Sequence, residues 1–299
     1  MLPRLANLAA LLVMPFLVSG LVNRVKSLWS GRQGPRVFQL VYDVRRLLAK
    51  TPVYSHTTTP LFRIAPWVFL VTSLASAAVV PLLGAAPACS FRLDFVFLAY
   101  AWGLGRAALV LAALDTGSAF EGMGAAREVS YAVLAEAAII AAVLSLSVQT
   151  GSVSLASMLS PSAGAGAVLL AAGLFTVLLA ENCRVPFDDP NTHLELTMIH
   201  EVMVLDHSGP PLAAILHGAS VKLLLFVLLL VQAVMPMAAL SPMGAAGVLA
   251  AGVLAVTVGV GLVESLLARL AFRRVPLLLT TAFLLCLFAL LVAWKGGAK

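Results

Sequence analysis

The sequence predicts an all-α polytopic membrane protein, with about eight transmembrane helices. Only 11% of its 299 residues are charged and 61% are hydrophobic, whereas about a quarter of the residues of a soluble domain are charged. The mean hydropathy is +1.03, and the apolar residues form runs of about 20, the length of a helix that crosses a bilayer. Alternating ten-residue strands, which are typical of a membrane β-barrel, are missing from the sequence.

The predicted spans, with boundaries uncertain by about four residues, cover roughly residues 5–23, 64–84, 95–114, 131–149, 163–180, 212–235, 244–267 and 276–294. The first span is interpreted as a retained helix rather than a signal peptide, because only Arg4 precedes it and no small-residue cleavage site follows. No polar stretch exceeds about forty residues, so residues 1–299 are predicted to form a single integral membrane domain.

Basic residues lie mainly in alternate loops, and this asymmetry predicts the orientation of the chain. One side carries Arg24, Lys26, Arg32, Arg36, Arg45, Arg46, Lys50, Arg63, Arg127, Arg184, Arg269, Arg273 and Arg274, and the other carries Arg4, Arg92, Lys295 and Lys299. Both termini should therefore face outward, and the loops 26–62 and 181–211 should face the cytoplasm from a cell (inner) membrane. The net charge of +6 follows from this asymmetry and does not indicate a nucleic-acid partner.

The loop 26–62 is predicted to contain an amphipathic helix. Six apolar residues recur there at helical spacing, namely Val37, Leu40, Val41, Val44, Leu47 and Leu48. Asp43, Arg46 and Lys50 should point toward the other side. Such a helix could lie in the lipid headgroup region or pack on neighbouring subunits, and both interpretations stay open.

Four ionisable residues fall inside predicted spans, where an unpaired charge is costly. Arg106 and Glu136 lie in adjacent spans, and we expect them to contribute to an ion path or a polar cavity; alternatively, Arg106 pairs structurally with a carboxylate such as Glu136. Glu264 lies near the inner end of its span, and we expect Lys222 and Glu264 to extend to the cytoplasmic interface.

The loop 181–211 is unusually polar. Its acidic and histidine residues are Glu181, Asp188, Asp189, Glu195, Glu201, Asp206, His193, His200 and His207. Asp189 as N-cap and Pro190 as first residue predict a helix that runs to about Asp206. These side chains could relay protons or anchor a docked soluble subunit.

No metal site is predicted in this chain. His193 and His200 are seven residues apart, which does not match the spacing of a zinc-binding helix. Cys89, Cys183 and Cys286 form no CxxC pair. The chain is therefore expected to hold no redox centre of its own.

Several motifs together resemble a known family. The acidic loop ENCRVPFDDP…ELTMIHE…SGP, the turn GRQGP and the block FEGMGAARE resemble the complex I membrane subunit that abuts the quinone site. Within that family, PFDDPNTHLELTMIHE and GRQGPRVFQL…KTPVYS are similar to the branch found in energy-converting [NiFe] hydrogenases, including formate hydrogenlyase. The acidic loop departs from the respiratory pattern, and this departure argues against quinone binding.

The resemblance implies a membrane anchor and coupling subunit, which links electron transfer in a peripheral arm to proton or sodium translocation. It implies a NiFe centre and iron–sulfur clusters in partner subunits of the hydrogenase type, antiporter-like membrane subunits beside this chain, and no cofactor within it. The implied coupling residues are Glu181, Asp188, Asp189, Glu195, Glu201, Asp206, Glu136 and Glu128, with Arg184 and Arg106 as electrostatic partners. The implied docking residues are Arg32, Gly34, Pro35, Arg36, His193 and His200.

Two alternatives remain. One is a quinone-site membrane subunit of a respiratory NADH:quinone oxidoreductase-like complex. The other is an ion antiporter, which is disfavoured because the sequence shows no internal inverted repeat.

Overall fold

The computed structural model describes residues 2–81, 87–159, 166–188, 198–236 and 240–297. These residues form helices, turns and loops without a strand, which confirms the predicted all-α class. A short 3₁₀ helix, Phe272–Arg274, precedes the last α-helix. The α-helices in the described ranges are α1 Leu2–Trp29, α2 Gln39–Leu48, α3 Pro60–Val79, α4 Asp94–Asp115, α5 Ala119–Thr150, α6 Leu155–Met158, α7 Gly166–Glu181, α8 His200–Met203, α9 Gly209–Val234, α10 Pro242–Leu266 and α11 Val275–Gly297.

A helix lies at each of the eight predicted span positions. Within the described residues, α3, α4, α5, α9, α10 and α11 are long and apolar enough to cross a membrane, and α7 is apolar but shorter. The fourth predicted span differs most, because α5 begins at Ala119 rather than near residue 131. The structure therefore supports a multi-pass membrane protein, while eight crossings and outward-facing termini stay predictions.

The loops at one end of the bundle are tied together by hydrogen bonds. We call this end the polar end; it is formed by α2, α8 and residues 49–59, 116–118, 182–188, 204–208 and 267–274. The Thr59 amide and hydroxyl donate to Asp115 Oδ2 at 2.7 and 3.0 Å, and the Leu270 amide donates to the Pro186 carbonyl at 2.9 Å. Side chains from distant parts of the sequence can therefore meet here.

Helix α9 lies at the centre of the bundle, and most of its side chains are buried. It packs against α1, α3 and α7, while α11 packs against α5 and α7. Small residues allow close approach, as is typical of membrane helices. A Cβ on Gly173 of α7 would lie 2.5 Å from Cys286 Sγ, and one on Gly261 of α10 would lie 2.7 Å from Val25 Cβ.

Two of the spanning helices begin with the same local pattern. Thr59 precedes Pro60, and its hydroxyl accepts from the Leu61 amide at 3.3 Å. Ser241 precedes Pro242, and its hydroxyl accepts from the Gly244 amide at 3.2 Å. The hydroxyl satisfies an amide that has no partner within the helix, and proline needs no donor at the first position.

The predicted amphipathic helix is present as α2, Gln39–Leu48. It packs against α9 and α1, and none of its side chains is fully buried by this chain. Asp43 pairs with Arg46 at 3.3 Å, as expected for the polar face, and it also lines a cavity together with Leu40. The apolar residues Val41 and Leu48 stay exposed, so a membrane surface or a partner subunit can still cover this helix.

The long helix predicted from Pro190 to about Asp206 is wrong over the residues that the structure describes. Asp189 and Pro190 lie outside them. Between residues 198 and 206, the structure has the four-residue helix α8 followed by a turn. Tertiary contacts override the local preference here. Met198 and Met203 are buried, and Asp188 Oδ2 accepts from the amides of Ile199 and His200, both at 3.0 Å.

Candidate functional site

Arg106, near the middle of α4, faces three carboxylates. Its Nη2 donates to both carboxylate oxygens of Glu181, at 2.6 and 2.5 Å, and its Nη1 donates to Glu136 Oε1 at 2.6 Å. Glu128 Oε1 lies farther away, 3.5 Å from Arg106 Nε. The guanidinium therefore joins α4 to α5, which carries Glu128 and Glu136, and to the last residue of α7.

Lys222 of α9 completes this group, which we call the Arg106 cluster: Arg106, Glu128, Glu136, Glu181 and Lys222. Its Nζ donates to Glu181 Oε2 at 2.8 Å, and the residue is only 8% exposed. The prediction that Lys222 extends to the membrane interface is wrong. Because Glu181 lies in the neighbouring helix, the ammonium is neutralised inside the bundle instead.

The Arg106 cluster is buried except at one member. Arg106 and Glu181 are 9% and 8% exposed, whereas the Glu136 side chain is 53% exposed on the outer face of α5. Three carboxylates surround two basic groups, so the fully ionised cluster has a net charge of −1. A buried pair loses most when one partner is removed, because the other charge then stays buried and unpaired.

A cavity of about 320 Å³ lies beside the Arg106 cluster. Arg106, Glu128, Glu181 and Lys222 line one side of it, and Asp43 of α2 and His200 and Glu201 of α8 line another. Its remaining wall includes apolar side chains such as Phe69, Leu109 and Leu223. The cavity therefore connects the charged cluster with the polar end of the bundle.

A second ion-pair group lies near the polar end. Glu264 of α10 pairs with Arg184 Nη1 at 3.2 Å and with Lys26 Nζ at 2.8 Å, and its side chain is fully buried. That Glu264 extends to the cytoplasmic interface stays a prediction, since Lys26 and Arg184 both belong to the predicted cytoplasmic side. Arg184 was expected to pair with carboxylates of its own loop; among the described residues, the structure pairs it with Glu264 in α10.

Asp188 ties the acidic loop to the rest of the chain. It is 1% exposed, and its Oδ1 lies 2.7 Å from Nη2 of Arg269. Its Oδ2 holds the amides at the start of α8. Asp188 therefore links the start of α8 to the segment between α10 and α11, because Arg269 belongs to that segment.

The other predicted site residues lie in different surroundings. Glu201 is half-buried in the cavity wall and Asp206 is exposed. His200, predicted as a docking residue, lines the cavity, and its Nδ1 is buried without a hydrogen-bond partner among the described residues. The basic turn is exposed at Arg32, Gly34, Pro35 and Arg36. Three other predicted site residues lie outside the described residues, namely Asp189, His193 and Glu195.

Two further ionisable groups are buried, although neither was predicted as a site residue of its own. Glu121, in the first turn of α5, is 2% exposed. Its position in the FEGMGAARE block was the available signal. His207 is 3% exposed and stacks on Phe62 with 4.0 Å between ring centroids. Burial lowers the pKa of His207 to about 4, so it is neutral at pH 7.

Cys183 follows α7 in a left-handed conformation, with φ of 52°, which is unusual for a residue other than glycine. Its thiol pKa is raised well above the usual value, first by burial and then by the carboxylates of Glu128, Asp188 and Glu201. Nothing in the sequence around Cys183 distinguished it from the other two cysteines.

Comparison with known proteins identifies the family. A family model described as NADH dehydrogenase matches residues 4–295, almost the whole chain. The chain belongs to the NADH dehydrogenase family. This result confirms the resemblance to the complex I membrane subunit that the motifs indicated.

The chain is also similar to two curated proteins that are components of hydrogenase-type complexes by name. Hydrogenase-4 component C of Escherichia coli K12 is 29% identical over 240 residues, which cover 78% of this chain and 74% of that protein. Formate hydrogenlyase subunit 4 of the same strain is 27% identical over 274 residues, which cover 87% and 88%.

A solved structure shows the same fold. It is a chain of the membrane-bound sulfane sulfur reductase, an archaeal respiratory membrane complex, which superposes with a TM-score of 0.83 over 98% of both chains. The identity is 15%, so the likeness is one of fold alone.

Proposed function

We propose that this chain is the membrane anchor and coupling subunit of a membrane-bound [NiFe] hydrogenase complex of the formate hydrogenlyase type. It links electron transfer in a peripheral arm to the translocation of protons or sodium ions. The NiFe centre and the iron–sulfur clusters belong to partner subunits, and this chain supplies none. The names of the two curated relatives support the type of complex.

The observation that carries the coupling role is the Arg106 cluster. Three carboxylates face two basic groups in the interior of a membrane protein, and two of the ion pairs share Glu181. The excess negative charge attracts a proton or another cation to the Arg106 cluster, because water screens buried charges only weakly. Protonation of one carboxylate, or binding of a cation to it, changes the electrostatic energy of the whole cluster, because Arg106 lies within ion-pair distance of all three carboxylates.

Glu136 is the member of the Arg106 cluster through which an ion could leave the helix bundle, since its side chain reaches the outer face of α5. It lies on a face of α5 where Val129, Val133, Ile140 and Leu144 are all exposed. An ionisable side chain on such an apolar face is costly in contact with lipid. We expect an antiporter-like membrane subunit to cover this face and to continue the ion path from Glu136.

The cavity supplies the connection to the peripheral arm. It extends from the Arg106 cluster to Glu201 and His200 at the polar end, where Asp188 fixes the loop. A partner that docks on the exposed basic turn 32–36 and on this loop can therefore influence the cluster. In this proposal the chain lies in the inner membrane, with the polar end in the cytoplasm and the remaining surface in contact with lipid.

One observation favours a second candidate, a quinone-site subunit. The cavity of about 320 Å³ lies at the lower limit of small-molecule pockets, about 300–1,000 Å³. Its wall also combines apolar side chains such as Phe69 and Leu109 with charged ones. A quinone headgroup would meet both kinds of surface there.

Purification of the complex from native membranes separates these candidates. Co-purified nickel and hydrogen evolution, insensitive to quinone-site inhibitors, are the expected result. Quinone reduction without nickel, blocked by those inhibitors, would establish the second candidate and overturn the first.

A further inference from the structure

Three potential metal ligands from separate parts of the chain meet beside the Arg106 cluster. They are Glu128 of α5, Cys183 in the turn after α7, and His200 at the start of α8. One ligand atom of each lies within 4.8 Å of those of the other two. We propose that these three side chains bind a divalent transition-metal ion of the Zn²⁺ class. The proposal does not rest on the assignment of a hydrogenase-type complex.

The geometry is close to what such an ion requires. Atoms within 4.8 Å of one another share a point that is no more than about 2.8 Å from each, whereas zinc lies about 2.0–2.3 Å from thiolate, imidazole and carboxylate ligands. Side-chain movements of about 0.5–0.8 Å close this difference. Thiolate, imidazole and carboxylate are also the three ligand types that zinc prefers.

Each of the three groups is available to a metal. Glu128 Oε1 is 3.5 Å from Arg106, and Arg106 Nε makes no hydrogen bond within the described residues, so this carboxylate is the most weakly held of the three around Arg106. His200 Nδ1 is buried and makes no hydrogen bond to the described part of the chain. Cys183 is a free thiol.

Two further features fit a cation at this position. The carboxylates of Glu128, Asp188 and Glu201 act on the Cys183 sulfur, against the ammonium of Lys222. Cys183 also holds its left-handed conformation in the wall shared by the cavity and the loop. Strained backbone of this kind concentrates at ligand and active sites.

A metal ion held by three protein ligands keeps a fourth coordination position. Because Glu128, Cys183 and His200 all line the cavity, that position would open to it. The ion would fasten α8 and the turn after α7 to α5 and would compete with Arg106 for Glu128. We therefore expect bound metal to restrict the movement of α8 and of the turn after α7, where the cavity meets the acidic loop. The sequence indicated no such site, since Glu128 and Cys183 are 55 residues apart in the chain.

The test measures metal binding to the full chain, purified from membranes in detergent without an affinity tag. Zn²⁺ is the probe for affinity and Co²⁺ the probe for the ligands, because a thiolate bound to cobalt produces a charge-transfer absorption band. We expect one Zn²⁺ per chain and a cobalt–thiolate band. Cys183→Ser should abolish the band, and Cys183→Ser and His200→Gln should each weaken Zn²⁺ binding at least about tenfold.

Matched controls are Cys89→Ser and His56→Gln, which change an exposed cysteine and an exposed histidine. Both should bind metal like the unaltered chain. Thermal unfolding and size-exclusion chromatography check that each variant is folded. Failure of the unaltered chain to bind Zn²⁺, or retention of full affinity and the cobalt band in a folded Cys183→Ser variant, would overturn the proposal.

Discussion

Arg106 and Glu181 form an ion pair with a nitrogen–oxygen distance of 2.5 Å, although 75 residues separate them in the sequence. The pair connects the middle of α4 with the last residue of α7, next to the start of the acidic loop. Lys222 from α9 binds the same carboxylate. Glu181 is therefore the residue through which two buried cations and the loop are linked.

The first prediction concerns Glu181. Glu181→Gln removes one full negative charge from the buried surroundings of Arg106 and Lys222. Loss of one partner of a buried pair costs about 3–5 kcal/mol in the free energy of unfolding. We expect a clearly lower melting temperature in detergent, measured by the fluorescence of the four tryptophans.

Glu136→Gln is the matched control for this experiment. Glu136 pairs with Arg106 alone, whereas Glu181 pairs with both Arg106 and Lys222. Glu136→Gln should therefore lower the melting temperature less than Glu181→Gln. Equal melting temperatures for both would show that the second partner of Glu181 does not matter energetically.

A second prediction concerns the contact between α5 and α8. A Cβ on Gly124 would lie 2.2 Å from Val202 Cγ1 and 2.7 Å from the Ile199 carbonyl oxygen. Gly124→Ala should displace α8 and reduce stability by about 1–3 kcal/mol, because a crowded interior cannot absorb the methyl group. Faster proteolysis of residues 198–208 should accompany the lower stability.

Gly122→Ala in the same helix is the control. Its Cβ would meet only Leu114 Cδ2, at 3.9 Å, which is an ordinary contact. Alanine favours the helix by up to about 1 kcal/mol over glycine, so this variant should be unchanged or slightly more stable. A Gly124→Ala variant that behaves like Gly122→Ala would rule out close packing of α8 on α5.

The third prediction is a pH dependence from His207. Its pKa is about 4 in the folded chain and about 6.5 when unfolded. Between these values the unfolded chain binds the proton and the folded chain does not, so the free energy of unfolding falls as the pH is lowered from about 6.5 to 4. The loss from this group reaches up to about 3 kcal/mol.

His207→Phe retains the aromatic contact with Phe62 and removes the titrating group. Its melting temperature should fall less between pH 6.5 and 4 than that of the unaltered chain. His56→Phe changes an exposed histidine and should leave the pH dependence as it was. The same slope in all three proteins would contradict the buried, neutral state of His207.

The sequence was sufficient to predict a helix at each of the eight span positions, but only part of the site. Apolar runs and flanking charges place all eight long helices, since the bilayer requires their length and hydrophobicity. An arginine and a glutamate in adjacent spans also suggested the pairing of Arg106 with Glu136. The hydrogenase-type branch followed from the particular residues of the acidic loop.

Partners that are distant in the sequence could not be predicted in the same way. Lys222 lies in the middle of α9 and Glu264 near the end of α10, and only the fold brings Glu181 and Arg184 next to them. The short α8 could not be predicted either, because its backbone follows contacts with Asp188 and α5. Cys183 has no local pattern that distinguishes it.

The central claim is that the Arg106 cluster couples hydrogenase chemistry to ion movement, and Glu136→Gln tests it most directly. The measurement is hydrogen evolution and the accompanying proton or sodium transport by the intact complex in proteoliposomes. The control is Asp115→Asn, which changes a carboxylate that binds Thr59 and lies outside the Arg106 cluster. We predict that Glu136→Gln retains assembly and hydrogen evolution but loses most of the ion transport per hydrogen. An unchanged ratio of ions transported to hydrogen evolved would contradict the account.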